Sequence, residues 1–525
     1  MSNSNAARSH SGRQRDQRRG LVAGTIAALV GVACVVVLRA LSGLISILDV
    51  LADLTLNLLP LPLFAALLRL FGVSAKAWLL AGLIAALIVA GALTGRHFAR
   101  ATAGSRRILW GRGLFTAAFS FAPLAVLFLW ATGFRFPGVL TRLESIVALL
   151  LLALAAIVFG LTLALALALL RRTDPVPDRT PTPIATRALS RRRLVTQAGL
   201  AVSALAAVAV LGREIGRVRG SERVAAGAPG EPPEPITPID QFYVVSKNLI
   251  DPGEPEPDWT LRIDGFVERE LTLTAVDLRD LAGSTPDFVS TLTCISNPVG
   301  GPLISTARWT GLPLATLLER AGVRPGAIAI VGHARDGYTD SIPLAEALDP
   351  TTALVWGMNG QPLPAAHGAP VRLIVPGLYG IKNVKWLERL SVVDSEHRGY
   401  WQRRGWTQSA RVKTSSRIDS PAPRGIVPAD RAGLAGIAFG GDRGISRVEV
   451  STDSGATWSG ATIEANPSDL GLSWVIWRQA WTPAPGTYTL TVRATDGTGE
   501  LQTAGSAPTL PDGASAWHQI TAGIA

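Results

Sequence analysis

The stretch TLTCISNPVGG, residues 291–301, decides how this chain is read. Strand-forming residues lead into Cys294, and Asn297, Pro298, Gly300 and Gly301 then turn the backbone. The other cysteine, Cys34, lies in an apolar run near the N-terminus, so the two do not make a disulfide framework. With one thiol in the polar half, cysteine-cluster zinc sites and iron–sulfur clusters are excluded, since each needs several thiolates. No Cys-x-x-Cys-His haem attachment occurs. The residues leave three uses for Cys294: a nucleophile, a single ligand to a metal whose other ligands come from an organic cofactor, or an inert core thiol.

Working outward, the 525 residues divide sharply. Residues 1–212 are apolar and carry 22 Lys/Arg against 6 Asp/Glu; the remainder carries 28 against 33. The basic excess therefore sits between apolar runs, and a nucleic-acid partner for the polar half is excluded. Runs near twenty apolar residues predict spanning helices at 21–43, 77–95, 114–134, 143–170 and 194–212. The segment 44–71, interrupted by Asp49, Asp53, Asn57, Pro60 and Pro62, reads as an interfacial helix. Five arginines in the tail 1–20, five in loop 96–113 and seven in loop 171–193 place those segments in the cytoplasm. The expected protein is a multi-pass cell-membrane protein with four spans over 21–170, a fifth at 194–212 and residues 213–525 outside. SRRRLVTQAG (190–199) resembles a twin-arginine export signal set inside the chain.

A Pro/Gly/Glu linker, 213–238, precedes a mixed α+β domain expected over 239–418. Residues 420–525 alternate apolar and polar positions between Gly-rich turns, as in ISRVEVSTDSGATW (445–458) and TYTLTVRATDG (487–497). That pattern predicts an immunoglobulin-like β-sandwich. Three clusters in the polar half carry chemistry. HGAPVRLIVPGLYGIKNVKWL (367–387) brackets an apolar strand with His367, Arg372, Lys382, Asn383 and Lys385, a set suited to a phosphate. DQFYVVSKN (240–248) opens the domain with aromatic and polar residues. YWQRRGW (400–406) sets two arginines among three aromatics, suited either to an anion or to a domain contact.

TLTCISNPVGG, ARWTGLPL (307–314), HGAPVR with PGLYGIKNVKWL, and the closing WHQI (517–520) together resemble the sulfite oxidase family of molybdopterin-dependent oxidoreductases, in its bacterial membrane-anchored branch. The resemblance covers roughly 235–525. It implies a sulfite-oxidase-like molybdopterin domain, a dimerisation-type sandwich and a molybdenum–molybdopterin cofactor. Cys294 is then the metal ligand and a catalytic residue. A soft thiolate suits a metal already held by sulfur. The implied cofactor contacts are Tyr243, Val244, Ser246, Lys247, Asn248, Cys294, His333, His367, Arg372, Lys382, Asn383, Val384 and Lys385. Arg403, Arg404 and Tyr338 stand as substrate-side candidates.

The sequence departs from the family where sulfite is bound. Pro298 and Val299 follow Asn297 in place of paired arginines, and Trp406 stands where the family has a tyrosine. The expected activity is oxygen-atom transfer on a small substrate, an oxyanion or S-oxide. Its alternatives are an S-oxide or N-oxide reductase and a non-catalytic membrane receptor. No haem or iron–sulfur centre is expected in this chain, so a separate cytochrome or quinone-linked partner carries electrons. A homodimer is among the implied assemblies.

Overall fold

The computed structural model describes residues 2–60, 74–102, 109–131, 142–171, 201–216, 232–248, 251–429, 433–464 and 466–525, with a few isolated positions between them. They form two compact units, 1–220 with 248–250, and 221–247 with 251–525.

The first unit is helical. Its elements are α1 (Ser2–Ser42), α2 (Ile47–Leu58), α3 (Ala75–Ala101), α4 (Leu109–Trp130) and α5 (Arg142–Arg171). Four stretches, Arg13–Ser42, Ala75–Ala101, Leu109–Trp130 and Leu143–Arg171, are long and apolar enough to cross a membrane. They overlap the first four expected spans. Of the fifth, residues 201–216 are helical, while 194–197 and 200 lie outside the described residues, as do 172–193 with the twin-arginine-like motif. The polar residues that interrupt 44–71 have structural work: Asp49 closes a capping box with Ser46 at the start of α2 and pairs with Arg39. Glycines let α1 and α3 touch. A Cβ on Gly24 would stand 2.2 Å from the Gly91 carbonyl oxygen, and one on Gly95 would stand 2.2 Å from that of Gly20. Such close small-residue contacts are how apolar helices associate in lipid.

The second unit carries four sheets. One runs β2 (Leu271–Thr274), β1 (Thr260–Gly265), β10 (Leu387–Val393), β5 (Ala329–Ala334), β6 (Thr339–Pro343), with β1 parallel to β10. Helix α6 (Ala275–Ala282) starts at a Thr274–Asp277 capping box. Helix α7 (Leu314–Ala321) buries Leu314, Leu317, Leu318 and Ala321 at helical spacing and stops at Gly322, φ 70°. The second sheet is β3 (Phe288–Thr293), β4 (Ile304–Pro313), β7 (Ala353–Met358) and β8 (Gln361–Pro362), with β9 (Arg372–Ile374) on β7. Its apolar face packs on Trp309, which is fully buried and donates its indole N–H to Ser290 at 3.2 Å. Trp309→Ala is expected to cost about 3–5 kcal/mol of stability, read as a fall in thermal midpoint.

The remaining sheets face each other as a sandwich. One is β11 (Ser415–Ser420), β13 (Gly433–Phe439), β17 (Val475–Ala480), β16 (Thr462–Ile463). The other is β12 (Ile426–Val427), β19 (His518–Ile524), β18 (Gly486–Asp496), β14 (Ile445–Ser451), β15 (Ser459–Gly460). Trp477, Leu490, Val492 and Ala522 are fully buried between them. A domain boundary at 418 falls inside β11, which hydrogen-bonds to β13, so the sandwich takes that strand whole.

The sandwich grips the Cys294 turn. Arg417 Nη1 donates to the Gly301 carbonyl at 2.9 Å. The His518 ring lies against Gly300, where an added Cβ would come within 2.2 Å of it and where φ is +69°. His518 Nδ1 accepts from the Ile418 amide at 3.0 Å, and burial, then Arg417, push its pKa down to about 4. The unfolded chain therefore binds this proton at higher pH than the folded one, from about 6.5 downward. Stability is expected to fall as pH drops from about 6.5 towards 4. The slope of thermal midpoint against pH should flatten in His518→Asn.

Candidate active site

Cys294 follows β3 directly. It is held by its amide donating to Leu303 at 2.9 Å and its carbonyl accepting from Asn297 at 3.0 Å. The Asn297 side chain accepts from the Leu303 amide at 2.9 Å, which closes the turn. The thiol is buried and lies 3.0 Å from Ser296 Oγ. It sits in the wall of a cleft of about 740 Å³.

That cleft gathers residues far apart in sequence: Tyr243, Val244, Ser246, Lys247, Cys294, Tyr338, His367, Arg372, Asn383, Val384 and Lys385. Gly380 lets the walls meet, for a Cβ there would stand 2.9 Å from the Tyr243 hydroxyl and 3.9 Å from Cys294 Cα. Asn383 is a strut: its Oδ1 accepts from Val375 N at 2.7 Å and its Nδ2 donates to Tyr379 O at 3.1 Å. Arg372 is buried, donating to His367 O at 2.9 Å and Asn383 O at 3.3 Å. Its Nε is buried with no hydrogen-bond partner, and burial pulls the guanidinium pKa down to about 10. His367 packs edge-on to Phe242, ring centres 5.3 Å apart. Lys385 Nζ donates to Ala366 O at 3.2 Å, and Lys247 Nζ to Asp336 O at 2.8 Å. The Ser246 hydroxyl donates to the Asp251 carboxylate. Burial, then the Cys294 charge, raise the Tyr243 pKa, so its phenol stays neutral.

Other expected site residues stand elsewhere. Lys382 is fully buried and donates to Asp340 at 2.7 Å and Ser341 O at 2.9 Å, an internal ion pair that does not line the cleft. His333 points from β5 towards Arg389, 3.2 Å away, with its pKa down to about 4 from burial and Arg389. Arg403 is exposed and donates to the Arg398 carbonyl. Arg404 lies 3.5 Å from the centre of the Tyr400 ring and donates to the Tyr400 carbonyl. Asn248 is not in the lining. Tyr338 reaches the cleft with its ring, but its hydroxyl donates to Ile381 O at 2.7 Å, beside Asp340. The cleft also uses Phe242, Asp336, Trp386 and Trp401, which were not singled out. Phe242 and Trp401 sit in stretches already marked as aromatic, whereas Asp336 showed only an Asp-Gly turn signal.

Among the described residues no group of three or more His, Cys, Asp or Glu could hold a metal. One buried thiol with a buried, under-bonded guanidinium and two lysines therefore fits an anionic cofactor that brings its own metal ligands.

Comparison with known proteins agrees. Residues 248–401 match the oxidoreductase molybdopterin binding domain, and residues 407–521 match the Mo-co oxidoreductase dimerisation domain. Mitochondrial sulfite oxidase of Mus musculus is 38% identical over 212 residues, 34% of this chain and 39% of that protein. Sulfite oxidase of Gallus gallus is 31% identical over 282 residues, 46% of this chain and 61% of that protein. Inducible NADH nitrate reductase 2 of Glycine max is 29% identical over 309 residues, 46% of this chain and 34% of that protein. The chain spans less than two thirds of the length of each of these relatives. With both domain matches lying in order around Cys294 and the basic cleft, the chain belongs to the sulfite oxidase family of molybdopterin-binding oxidoreductases.

Proposed function

We propose that the chain is a membrane-anchored oxidoreductase whose molybdenum–molybdopterin centre stands outside the cytoplasm and transfers an oxygen atom to a small substrate. The observation that carries this reading is the single buried Cys294 thiol in a cleft whose other walls present Arg372, Lys385 and Lys247. The bound cofactor supplies the two-electron change at the metal.

The chain's own residues bind and orient. The amide bonds of the 294–303 turn aim the Cys294 sulfur. Arg372 is fixed by two backbone carbonyls, so its fork is preorganised for a phosphate. The neutral Tyr243 phenol adds no second negative charge beside the thiolate. Phe242 and Leu292 keep that wall apolar and limit water. A separate cytochrome or quinone-linked protein takes the electrons, and the dimerisation-type sandwich supports a homodimer. The sandwich is of immunoglobulin type, and the 190–199 motif directs export of a folded, loaded domain. Reduction of an S-oxide or N-oxide is the second reading, favoured by the likeness to a nitrate reductase.

Metal and pterin analysis of the purified chain tests this. About one molybdenum per chain is expected. No molybdenum in protein from cells that make the cofactor would replace the enzyme reading with that of a membrane receptor.

A further inference from the structure

The helical unit holds a cavity of its own, of about 340 Å³, where α1 turns into α2. Small-molecule sites begin at about 300 Å³. Gly43, with φ 70°, ends α1, and the chain doubles back through Leu44, Ile45 and Ser46. Phe128 of α4 and Leu151 and Leu152 of α5 form the opposite, apolar wall. The polar side chains that line it, Arg39, Ser42 and Ser46, all come from the α1–α2 turn. The Arg39 side chain is 3% exposed; it donates to Asp49 and lies 3.7 Å from the buried Glu214 of the 201–216 helix. Charges inside apolar helices are costly to desolvate, and they mark ligand or ion sites. A tie between helices would need the ion pair but no space beside it. The Ser42 hydroxyl accepts from the Leu44 amide at 3.3 Å and keeps its own proton to donate, whereas Ser46 Oγ donates to Asp49 at 2.8 Å.

We propose that this cavity binds the head group of an isoprenoid quinone, with a carbonyl oxygen turned to Arg39 and Ser42 and the ring against Phe128. The charges select a neutral ligand. Asp49 and Glu214 set two carboxylates against one guanidinium, so an anionic lipid head group would bring a third negative charge. A metal cation would meet Arg39, with no carboxylate in the lining among the described residues. Haem would find no His, Cys, Met or Tyr there to ligate its iron, again among the described residues. A wholly apolar molecule would leave Arg39 and Ser42 facing hydrocarbon. A flat apolar ring with carbonyl acceptors satisfies both walls. Among neutral lipids of that shape, a quinone also carries electrons, which suits a chain of an oxidoreductase family. The site lies at the end of α1 and the start of α5, the side that the arginine-rich loops assign to the outside. The inference goes beyond the proposed oxygen-atom transfer and rests only on the chain's family.

The test reconstitutes the full chain in phosphatidylcholine nanodiscs and titrates decylubiquinone. The readout is quinone retained per chain above that held by empty discs, beside a thermal midpoint. Wild type is expected to saturate near one quinone per chain. Ala148→Phe, which fills the cavity from α5, should abolish retention. Ser42→Ala should weaken it about fivefold through loss of one neutral hydrogen bond, with an unchanged thermal midpoint because the position is exposed. Arg39→Lys, which keeps the charge and drops the planar fork, should weaken it about tenfold. Leu165→Phe, at an exposed position of α5 outside the lining, should change nothing. The measurement needs no molybdenum, so its failure is distinct from failure of the enzyme reading. No saturable retention in wild type, unchanged affinity in Ala148→Phe, or displacement of the quinone by phosphatidylglycerol overturns the proposal. If Ala148→Phe does not fold, unchanged affinity in Ser42→Ala overturns it instead.

Discussion

Cys294→Ala is expected to lower turnover by more than about 10³-fold while the protein stays folded. Removing a partner that merely orients a metal ligand costs about 10–100-fold, so removing the ligand itself costs more. The fold should tolerate the change. The side chain is small, it ends a strand rather than sitting mid-sheet, and its backbone bonds to Leu303 and Asn297 do not use the thiol. A loss of about 1 kcal/mol is expected from the missing sulfur. Turnover with an artificial electron acceptor, molybdenum content and a thermal melt measured together separate ligand loss from unfolding. Full activity in the variant would remove Cys294 from the chemistry.

Arg372→Met should act with opposite signs on the two forms of the protein. In the cofactor-free chain the guanidinium is buried and its Nε has no hydrogen-bond partner, so it carries a desolvation cost that its two bonds to backbone carbonyls offset only in part. Methionine fills similar space without that cost, although two carbonyls lose donors. The cofactor-free variant is expected to melt no lower than wild type, within about 1 kcal/mol. The loaded form should instead lose cofactor about 100-fold faster, since a charge-assisted bidentate contact is worth about 1.5–3 kcal/mol or more when buried. Dilution into buffer, followed by pterin fluorescence of the released cofactor, measures the rate. Equal release from variant and wild type would mean that Arg372 faces no anion.

The parts of this site that were legible in sequence are those written in local code. Cys294 stands between strand formers and a Pro-Gly turn, and Arg372, Asn383 and Lys385 flank one short strand and its turn. What stayed hidden depended on partners far along the chain. Lys382 looks identical in kind to Lys385, three residues on, yet Asp340 captures it from 42 positions upstream. His333 falls on the face of β5 that meets Arg389, and no local pattern says which face of a two-sided sheet lines a cleft. Arg404 stands among aromatics, a setting suited either to an anion or to a domain contact, and Tyr400, four residues earlier, takes its charge onto a ring. The sandwich strands were visible from period-two alternation, whereas the start of β11 was not. Ser415 to Ser420 alternate only weakly, and their pairing with β13 supplies the missing definition.

The grip of His518 on Gly300 also has a consequence for biosynthesis. His518 is translated roughly 224 positions after Cys294, a delay of about 11–45 s at about 5–20 residues per second. Until then β19 does not exist, the ring cannot seat, and the ligand turn is held by its own bonds and by Arg417 without the His518 contact. A nascent chain stalled before β19 should therefore show a Cys294 that alkylates readily. The folded chain should protect it, so that a strand synthesised long after Cys294 is the one that closes the site.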